Sequence, residues 1–151
     1  HAVTSSQRMV DNSNKDLRRA RAACFNIIPT TTGAAETTTK VMDGLDGIFD
    51  GIAIRVPILT GSLTDFTFLT DKKTSVDEVN KAMKEAAEGK LKGVLGVTDK
   101  PIVSSDIVGC EYSSLVDLDM TRVVDGDMVK ILSWYDNEWG YVSRMMELAN
   151  L

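Results

Sequence analysis

Residues 113–135 read SSLVDLDMTRVVDGDMVKILSWY, and this stretch decides the fold. It predicts two short strands, around 113–120 and 127–135. The turn residues Asp125–Gly126–Asp127 separate them. Because the strands follow one another with no helix between them, they favour a sheet that is mixed or largely antiparallel.

The same signals recur on either side of this stretch. Further strands are predicted at 51–57, 62–70, 94–97 and 101–107, and helices at 33–42, 76–88 and 138–150. Consecutive strands with segregated helices predict the α+β class, with a mixed, largely antiparallel sheet and helices packed on one face. Neither common glycine-rich nucleotide cradle, GxGxxG or GxxxxGK(S/T), is present.

Three of these elements carry detailed predictions. Ser75 and Glu78 form a capping box before helix 76–88, and Gly89 ends it. The helix at 138–150 places an apolar stripe on one side, formed by Trp139, Val142, Met146 and Ala149. In strand 62–70, Phe66 and Phe68 share one face.

Strand 51–57 shows the alternation of a half-buried strand. Ile52, Ile54 and Val56 lie on one face, and Ala53 and Arg55 on the other. The apolar face is therefore expected in the core. Arg55 is expected on the surface that is not core, where the sheet would hold it rigidly for a ligand.

Composition restricts the class of protein. The chain has 151 residues, 43% of them hydrophobic, which favours one domain with a real core. A net charge of −5 excludes a generally basic nucleic-acid binder, and no apolar run approaches the ~18 residues of a membrane span. Two cysteines make no disulfide framework, which indicates the cytoplasm, and a single histidine argues against a metal site. Since the first residue is His1 and not Met, we expect a piece of a longer chain.

Charge is unevenly distributed along the chain. Residues 1–40 carry six Lys and Arg against three Asp and Glu, a net of +3, whereas the remainder carries −8. Residues 1–31 are polar, basic and poorly periodic, which predicts a long ordered loop. Such a basic head suits an anionic ligand, although ordinary surface variation gives the same counts.

A few side chains could carry chemistry. His1 is the natural general base, with a stray terminal histidine as the alternative. Arg18, Arg19 and Arg21 could grip phosphate or form a solvated basic turn. Thr32–Gly33 at a predicted helix start offers a hydroxyl and backbone N–H groups to an anion, or simply caps the helix. Together with Arg55 they describe a phosphate-binding site beside a base.

Several strings in this order resemble the catalytic domain of phosphorylating glyceraldehyde-3-phosphate dehydrogenases. They are HAVTSSQ (1–7), DLRRARAA (16–23), NIIPTTTGAA (26–35), IRVP (54–57), LKG (91–93), VSSD (103–106) and SWYDNEWGY (133–141). The last is the most specific, and the resemblance covers essentially the whole chain. It implies residues 1–151 as a catalytic domain without its first helix and strand, with residues 1–31 as the S-shaped loop region. It further implies that an N-terminal dinucleotide-binding (Rossmann) domain is absent from the chain.

The resemblance also implies an activity and the residues for it. The family oxidises an aldehyde phosphate through a cysteine thioester, passes a hydride to NAD or NADP, and releases the product with inorganic phosphate. His1 matches the histidine that activates the cysteine, and Thr4 and Arg55 match the site for the substrate phosphate. Arg18 or Arg19, with Thr32 and Gly33, matches the site of the attacking inorganic phosphate. Asn137 and Tyr141 match the surroundings of the nicotinamide, and the implied assembly is a cytoplasmic homotetramer of glycolysis and gluconeogenesis.

The departures from the family pattern are large. The nucleophile's Ser–Cys–Thr–Thr–Asn motif is absent, and neither Cys24 nor Cys110 replaces it. We therefore expect the chain alone to be inactive and to bind no cofactor tightly. Two alternatives stay open: the related erythrose-4-phosphate dehydrogenase, and a naturally truncated, non-catalytic assembly module.

Overall fold

The computed structural model describes residues 1–150. It contains three α-helices, six strands and a short 3₁₀ turn at Ser104–Ile107 within that range. The chain divides into two compact units, His1–Leu59 and a second that starts at Thr60. The elements in chain order are β1 (Ile28–Thr31), α1 (Ala34–Val41), β2 (Ile52–Arg55), β3 (Ser62–Leu69), α2 (Val76–Glu88), β4 (Leu95–Thr98), β5 (Ser114–Val124), β6 (Met128–Tyr135) and α3 (Trp139–Ala149).

The second unit contains a four-stranded sheet in the order β3-β6-β5-β4. β6 runs antiparallel to both of its neighbours, whereas β4 and β5 are parallel. The sheet is therefore mixed and largely antiparallel, and the α+β prediction is confirmed.

Helix α2 covers one face of this sheet and forms the core with it. Val79 on α2 packs with Val129 and Ile131 of β6, and Val129 is completely buried. Phe66 and Phe68 of β3 join this cluster, so the predicted aromatic face of that strand is confirmed. A second cluster centres on Leu95, Val116 and Leu118, against which Met83, Ala86 and Ala87 of α2 pack.

The start and end of α2 follow from local sequence. The Ser75 hydroxyl accepts a hydrogen bond from Glu78 N (3.3 Å), and the Glu78 carboxylate accepts one from Ser75 N (3.1 Å). Both halves of the predicted capping box are thus present, and Gly89 is the C-cap.

β5 is longer than its prediction and continues to Val124. Its pairing with β6 shifts register between Asp117 and Arg122, which marks a β-bulge. Asn80 of α2 fills this irregularity: its amide donates to Leu118 O (3.0 Å) and accepts from the Thr121 hydroxyl (2.7 Å). The end of the strand was not predicted because the bulge interrupts the alternation of apolar and polar residues along β5, and polar residues follow position 120.

The strand predicted at 101–107 is wrong. Residues Ser104–Ile107 form a 3₁₀ turn. The Asp106 carboxylate accepts a hydrogen bond from Val103 N (2.7 Å), and Asp106 N donates to Val103 O (2.9 Å). These local bonds compete with a strand ladder, as aspartate and serine side chains commonly do.

The first unit has a two-stranded antiparallel sheet. Ile28 of β1 lies opposite Arg55 of β2, and Thr31 lies opposite Ile52. β1 lies at the end of segment 1–31, which the sequence predicts as a loop. The strand was missed because Pro29 and the three threonines after it are typical of turns. Its side chains alternate strictly, with Ile28 and Thr30 buried.

The prediction for the two faces of β2 is wrong. Ile52 is 72% exposed and Ile54 is 48% exposed, whereas Ala53 and Arg55 are only partly exposed. Arg55 is therefore on the more buried face. The reason is that turn residues of the first unit supply hydrogen-bond acceptors to its guanidinium group, which makes partial burial of the charge tolerable.

Helix α3 spans Trp139–Ala149, close to its predicted range, but its predicted apolar stripe is not buried. Trp139, Val142 and Met146 are each more than half exposed. Among residues 1–150, the structure has no helix of the length and apolar character that crossing a bilayer requires. The same range holds no group of three or more His, Cys, Asp or Glu side chains that could bind a metal ion.

Candidate oxyanion-binding site

The turn Thr4–Gln7 binds Arg55 from one side. Gln7 N donates to Thr4 O (2.9 Å), which closes the turn. The Nη1 atom of Arg55 then donates to the Thr4 hydroxyl (2.8 Å), to Gln7 Oε1 (2.9 Å) and, more weakly, to the Ser6 hydroxyl (3.3 Å). One nitrogen of the guanidinium is thereby fixed by neutral oxygens, 48 or more residues away in sequence.

The remaining edge of this guanidinium is the chemically useful one. Neither Nε nor Nη2 of Arg55 donates a hydrogen bond to any residue within 1–150. These two nitrogens form the planar fork that binds two oxygens of a phosphate or carboxylate. Because the partners of Nη1 are uncharged, they hold the group in place without cancelling its positive charge.

His1 lies next to Arg55. Its backbone nitrogen donates to Ile54 O (2.8 Å) and its carbonyl accepts from Val56 N (3.0 Å), so it bonds to the residues on both sides of Arg55. Ring atom Nδ1 lies 2.7 Å from Ala2 O, and since a carbonyl only accepts, Nδ1 carries the hydrogen. In the neutral ring, Nε2 is then the basic nitrogen.

Arg19 is the centre of a second cluster in the same unit. Its Nε donates to the Thr30 hydroxyl (2.8 Å) and its Nη2 to Thr31 O (2.8 Å). Asp16 lies 3.3 Å from Nε and accepts a hydrogen bond from the Thr30 hydroxyl (2.8 Å). The cluster joins the basic loop to strand β1 and fixes Arg19 beside the residues that precede α1.

The two arginines affect each other electrostatically. Burial and the charge of Arg19 hold the pKa of Arg55 below its usual value, and Asp16 acts in the opposite direction. The negative charge of Asp16 is therefore outnumbered by the positive charges of Arg19 and Arg55. The Thr30 hydroxyl keeps the pKa of Asp16 below the ordinary aspartate value despite burial, so at neutral pH Asp16 is ionised. Arg19, Arg55 and Asp16 together therefore carry a net positive charge, which suits an anion.

Thr32 and Gly33 occupy the start of α1. The N-cap is Gly33, and the Thr32 hydroxyl accepts from Ala34 N (3.2 Å), so part of its capacity serves the helix. Arg18, unlike Arg19, is exposed and makes no side-chain hydrogen bond within residues 1–150. It borders an open cleft of about 350 Å³ that is also lined by Asp16, Pro29, Thr30, Thr31 and Ile52.

The second unit holds Asn137 and Tyr141. Asn137 Oδ1 accepts from Gly61 N (3.1 Å) and from the Thr60 hydroxyl (3.5 Å), which fixes the carboxamide. Tyr141 is 68% exposed in the first turn of α3. The Asp136 carboxylate accepts hydrogen bonds from Glu138 N (2.9 Å) and Trp139 N (3.0 Å) at the start of this helix. Burial raises the pKa of Asp136, but its backbone and Thr60 hydrogen bonds outweigh that effect and leave the pKa low.

The structure thus brings some predicted residues into direct contact and leaves others apart. Thr4 and Arg55 are hydrogen-bonded, His1 adjoins Arg55, and Arg19 reaches the segment just before Thr32. Within residues 1–150 the Arg18 side chain makes no hydrogen bond to the other candidates, although its backbone carbonyl accepts from Arg21 N (3.2 Å). Sequence reasoning missed the residues that hold the two arginines, namely Ser6, Gln7, Asp16 and Thr30. Their only sequence signal is that a polar residue near a candidate arginine or threonine can accept a hydrogen bond.

Neither cysteine belongs to these clusters. Cys24 is exposed and Cys110 is partly buried, and both are free thiols. Cys110 lies in the second unit, in the turn after the 3₁₀ segment, where its N–H donates to Ile107 O (3.0 Å).

Two anchored arginines, one of which adjoins a histidine, form an arrangement whose chemistry suits a small oxyanion. Comparison with known proteins is more specific. The profile of the family described as "Glyceraldehyde 3-phosphate dehydrogenase, C-terminal domain" matches residues 1–137, and the chain belongs to this family.

Individual relatives agree with this assignment. The chain is 55% identical over all of its 151 residues to a glyceraldehyde-3-phosphate dehydrogenase of Mycobacterium bovis, covering 44% of that protein. It is 56% identical over 149 residues to glyceraldehyde-3-phosphate dehydrogenase 2 of Streptomyces avermitilis, and 48% identical over 151 residues to the corresponding protein of a Nostoc species. The chain spans less than half the length of these curated relatives.

Proposed function

We propose that the chain is the catalytic domain of an NAD-dependent, phosphorylating glyceraldehyde-3-phosphate dehydrogenase of glycolysis and gluconeogenesis. The observation that carries this proposal is the Arg55 guanidinium, held on Nη1 by Thr4 and Gln7 with its Nε–Nη2 edge unbonded and His1 alongside. Residues 1–31 correspond to the S-shaped loop of the family. The parent protein is a cytoplasmic homotetramer under this proposal.

Each residue has a role in the proposed reaction. Arg55 and Thr4 bind the phosphate of the substrate, glyceraldehyde 3-phosphate. Arg19, with Thr32 and the N–H groups at Gly33, binds the attacking inorganic phosphate. We assign this role to Arg19 and not to Arg18, because hydrogen bonds to Thr30 and Thr31 fix the Arg19 side chain. His1 accepts the proton of a cysteine thiol from outside this chain, and then exchanges a proton with the oxygen of the bound aldehyde.

The cofactor is proposed to be NAD, with NADP as the variant that this half does not distinguish. Its nicotinamide supplies the acceptor for the hydride. Asn137 fits it, since Oδ1 is occupied by Gly61 N and the amide Nδ2 is left to donate to a carboxamide oxygen. Tyr141 is accessible in the next helical turn. We expect no tight cofactor binding by the chain alone.

A chimaera tests the proposal. The aligned segment of the Mycobacterium bovis relative is replaced by these 151 residues, and NAD reduction is measured with glyceraldehyde 3-phosphate, with and without inorganic phosphate. We expect turnover that requires both, and a loss of at least about 10²-fold in kcat for His1→Asn, as expected when a general base is removed. A folded chimaera that binds NAD yet gives no turnover would contradict the proposal.

Three further measurements separate the alternatives. Erythrose 4-phosphate is offered to the same chimaera, and a higher kcat/KM for it than for glyceraldehyde 3-phosphate would favour the erythrose enzyme. The 151-residue chain alone is expected to give no turnover, since the family's cysteine motif is absent from it. A stable oligomer of the chain at low micromolar concentration, with an inactive chimaera, would favour the assembly module.

A further inference from the structure

Gln7 is buried in an arrangement that leaves half of its amide unsatisfied. The side chain is only 9% exposed, and Oε1 accepts from Arg55 Nη1 (2.9 Å). Its Nε2 atom is buried without a hydrogen-bond partner among residues 1–150. A guanidinium can only donate, so the amide must turn its oxygen toward Arg55, and Nε2 goes without a partner. A buried donor left unpaired lowers stability, so the amide is better explained by its bond to Arg55 than by a contribution to stability.

We propose that Gln7 is a positioning residue, which sets the edge of the Arg55 guanidinium that faces the ligand. By accepting from Nη1 it directs Nε and Nη2 away from the turn. That the ligand is the substrate phosphate rests on the proposed function. The positioning itself rests only on the geometry of the turn.

The absence of charge on the Gln7 amide is as important as the position of the side chain. All three side chains that accept from Nη1, those of Thr4, Ser6 and Gln7, are uncharged. A carboxylate at position 7 would hold Arg55 at least as firmly, but it would cancel the charge that attracts the phosphate. Gln7→Glu and Gln7→Met therefore separate the two properties: the first keeps the anchor and removes the charge, and the second removes the anchor and keeps the charge.

The first experiment uses the ¹⁵N-labelled 151-residue chain and follows the Arg55 side-chain N–H signals, assigned with Arg55→Lys. We expect rotation of the guanidinium to become about tenfold faster in Gln7→Met, because a hydrogen bond to a charged group is lost, and to stay slow in Gln7→Glu. Ser5→Ala, an exposed neighbour in the same turn, is the matched control and should change nothing. Thermal unfolding reports whether each variant folds, and Gln7→Glu carries the test if Gln7→Met does not.

The second experiment places the same variants in the active chimaera. Gln7→Met should raise the KM for glyceraldehyde 3-phosphate by about tenfold, because a hydrogen bond that holds the charged guanidinium is lost. Gln7→Glu should raise it by about the same factor, because its carboxylate cancels the charge that attracts the phosphate. In both variants kcat should change by less than about twofold. The KM for inorganic phosphate should not change.

The outcomes distinguish the two proposals. If Gln7→Met frees Arg55 in the chain but no chimaera is active, the positioning stands and the proposed function fails. If the chimaera is active and Arg55 rotates equally slowly in Gln7→Met and in the unaltered chain, the positioning is overturned. Activity that falls only in proportion to the folded fraction in both variants would show a purely structural role and would also overturn it.

Discussion

The two compact units of the chain are stabilised in different ways. The unit that begins at Thr60 buries large aliphatic side chains between α2 and the sheet, such as Val116, Val129 and Ile131. The unit His1–Leu59 buries Ala2, Ala23, Ile28 and Ala35, of which only Ile28 is large. In their place it has side-chain hydrogen bonds centred on Arg19 and Arg55.

This difference shows how the chain combines rigidity with polarity. Apolar burial stabilises a fold without regard to direction, whereas hydrogen bonds fix direction and add little net free energy. The proposed phosphate site requires directed donors, and it lies in the unit with the small apolar core. We infer that the second unit supplies most of the stability.

The largest expected effect tests that division with one residue type. Ile131→Ala in β6 should lower the free energy of unfolding by about 3 kcal/mol, because it leaves a cavity in the core. Ile52→Ala in β2, where the side chain is 72% exposed, should change it by less than about 0.5 kcal/mol. Denaturant titration of both variants measures the difference, and equal losses would break the comparison.

A smaller effect is expected at the start of α2. Ser75→Ala removes half of the capping box and should cost about 1 kcal/mol in the same titration. Ser105→Ala, an exposed serine in the 3₁₀ turn, is the matched control and should be near neutral. A cost for Ser75→Ala no greater than that of the control would mean that packing alone defines this helix.

The smallest effect on global unfolding is expected for Asp16. Its pKa reports on the groups that contact it rather than on the whole fold. The Thr30 hydroxyl, two backbone N–H groups and Arg19 lower its pKa, against the effect of burial. Its contribution to stability is therefore complete above the ordinary aspartate pKa, and it is lost as the pH falls through the lower pKa of the folded chain. NMR titration should show a midpoint below the ordinary value, and Thr30→Val should move it upward. A midpoint at the ordinary value would contradict the Thr30–Asp16 hydrogen bond on which this prediction rests.

Elements defined by local signals were predictable from the sequence. The capping box and Gly89 locate α2 because they act within a few residues, and the alternation around Phe66 and Phe68 assigns the faces of β3. Elements defined by distant partners were not. β1 is a strand only because β2 pairs with it. The turn at Ser104–Ile107 is a different case, since its Asp106–Val103 bond is local, but the side-chain bond leaves no periodic pattern in the sequence.

The candidate site follows the same rule. Arginines and threonines indicated phosphate chemistry, but only the resemblance assigned them to separate subsites. The buried side of Arg55 was wrongly predicted because its acceptors lie about fifty positions earlier in the chain, and no periodicity reports such a contact. Gln7 was missed for the same reason. Asp16 is only three residues from Arg19, and it was missed because its role depends on Thr30, which lies fourteen positions later.

The pairing of β1 with β2 limits how this chain can change in length. Thr30 lies opposite Ala53, and Ile28 lies opposite Arg55. The even-numbered residues of β1 and the odd-numbered residues of β2 therefore share one face of the ribbon. Residues added or deleted between α1 and β2 would alter only a connecting segment. A single residue inserted between Ala53 and Arg55 would turn the guanidinium to the opposite face of the ribbon, away from Thr4, while leaving every site residue present. Among homologues, length variation in this region should therefore be confined to the segment before Ile52.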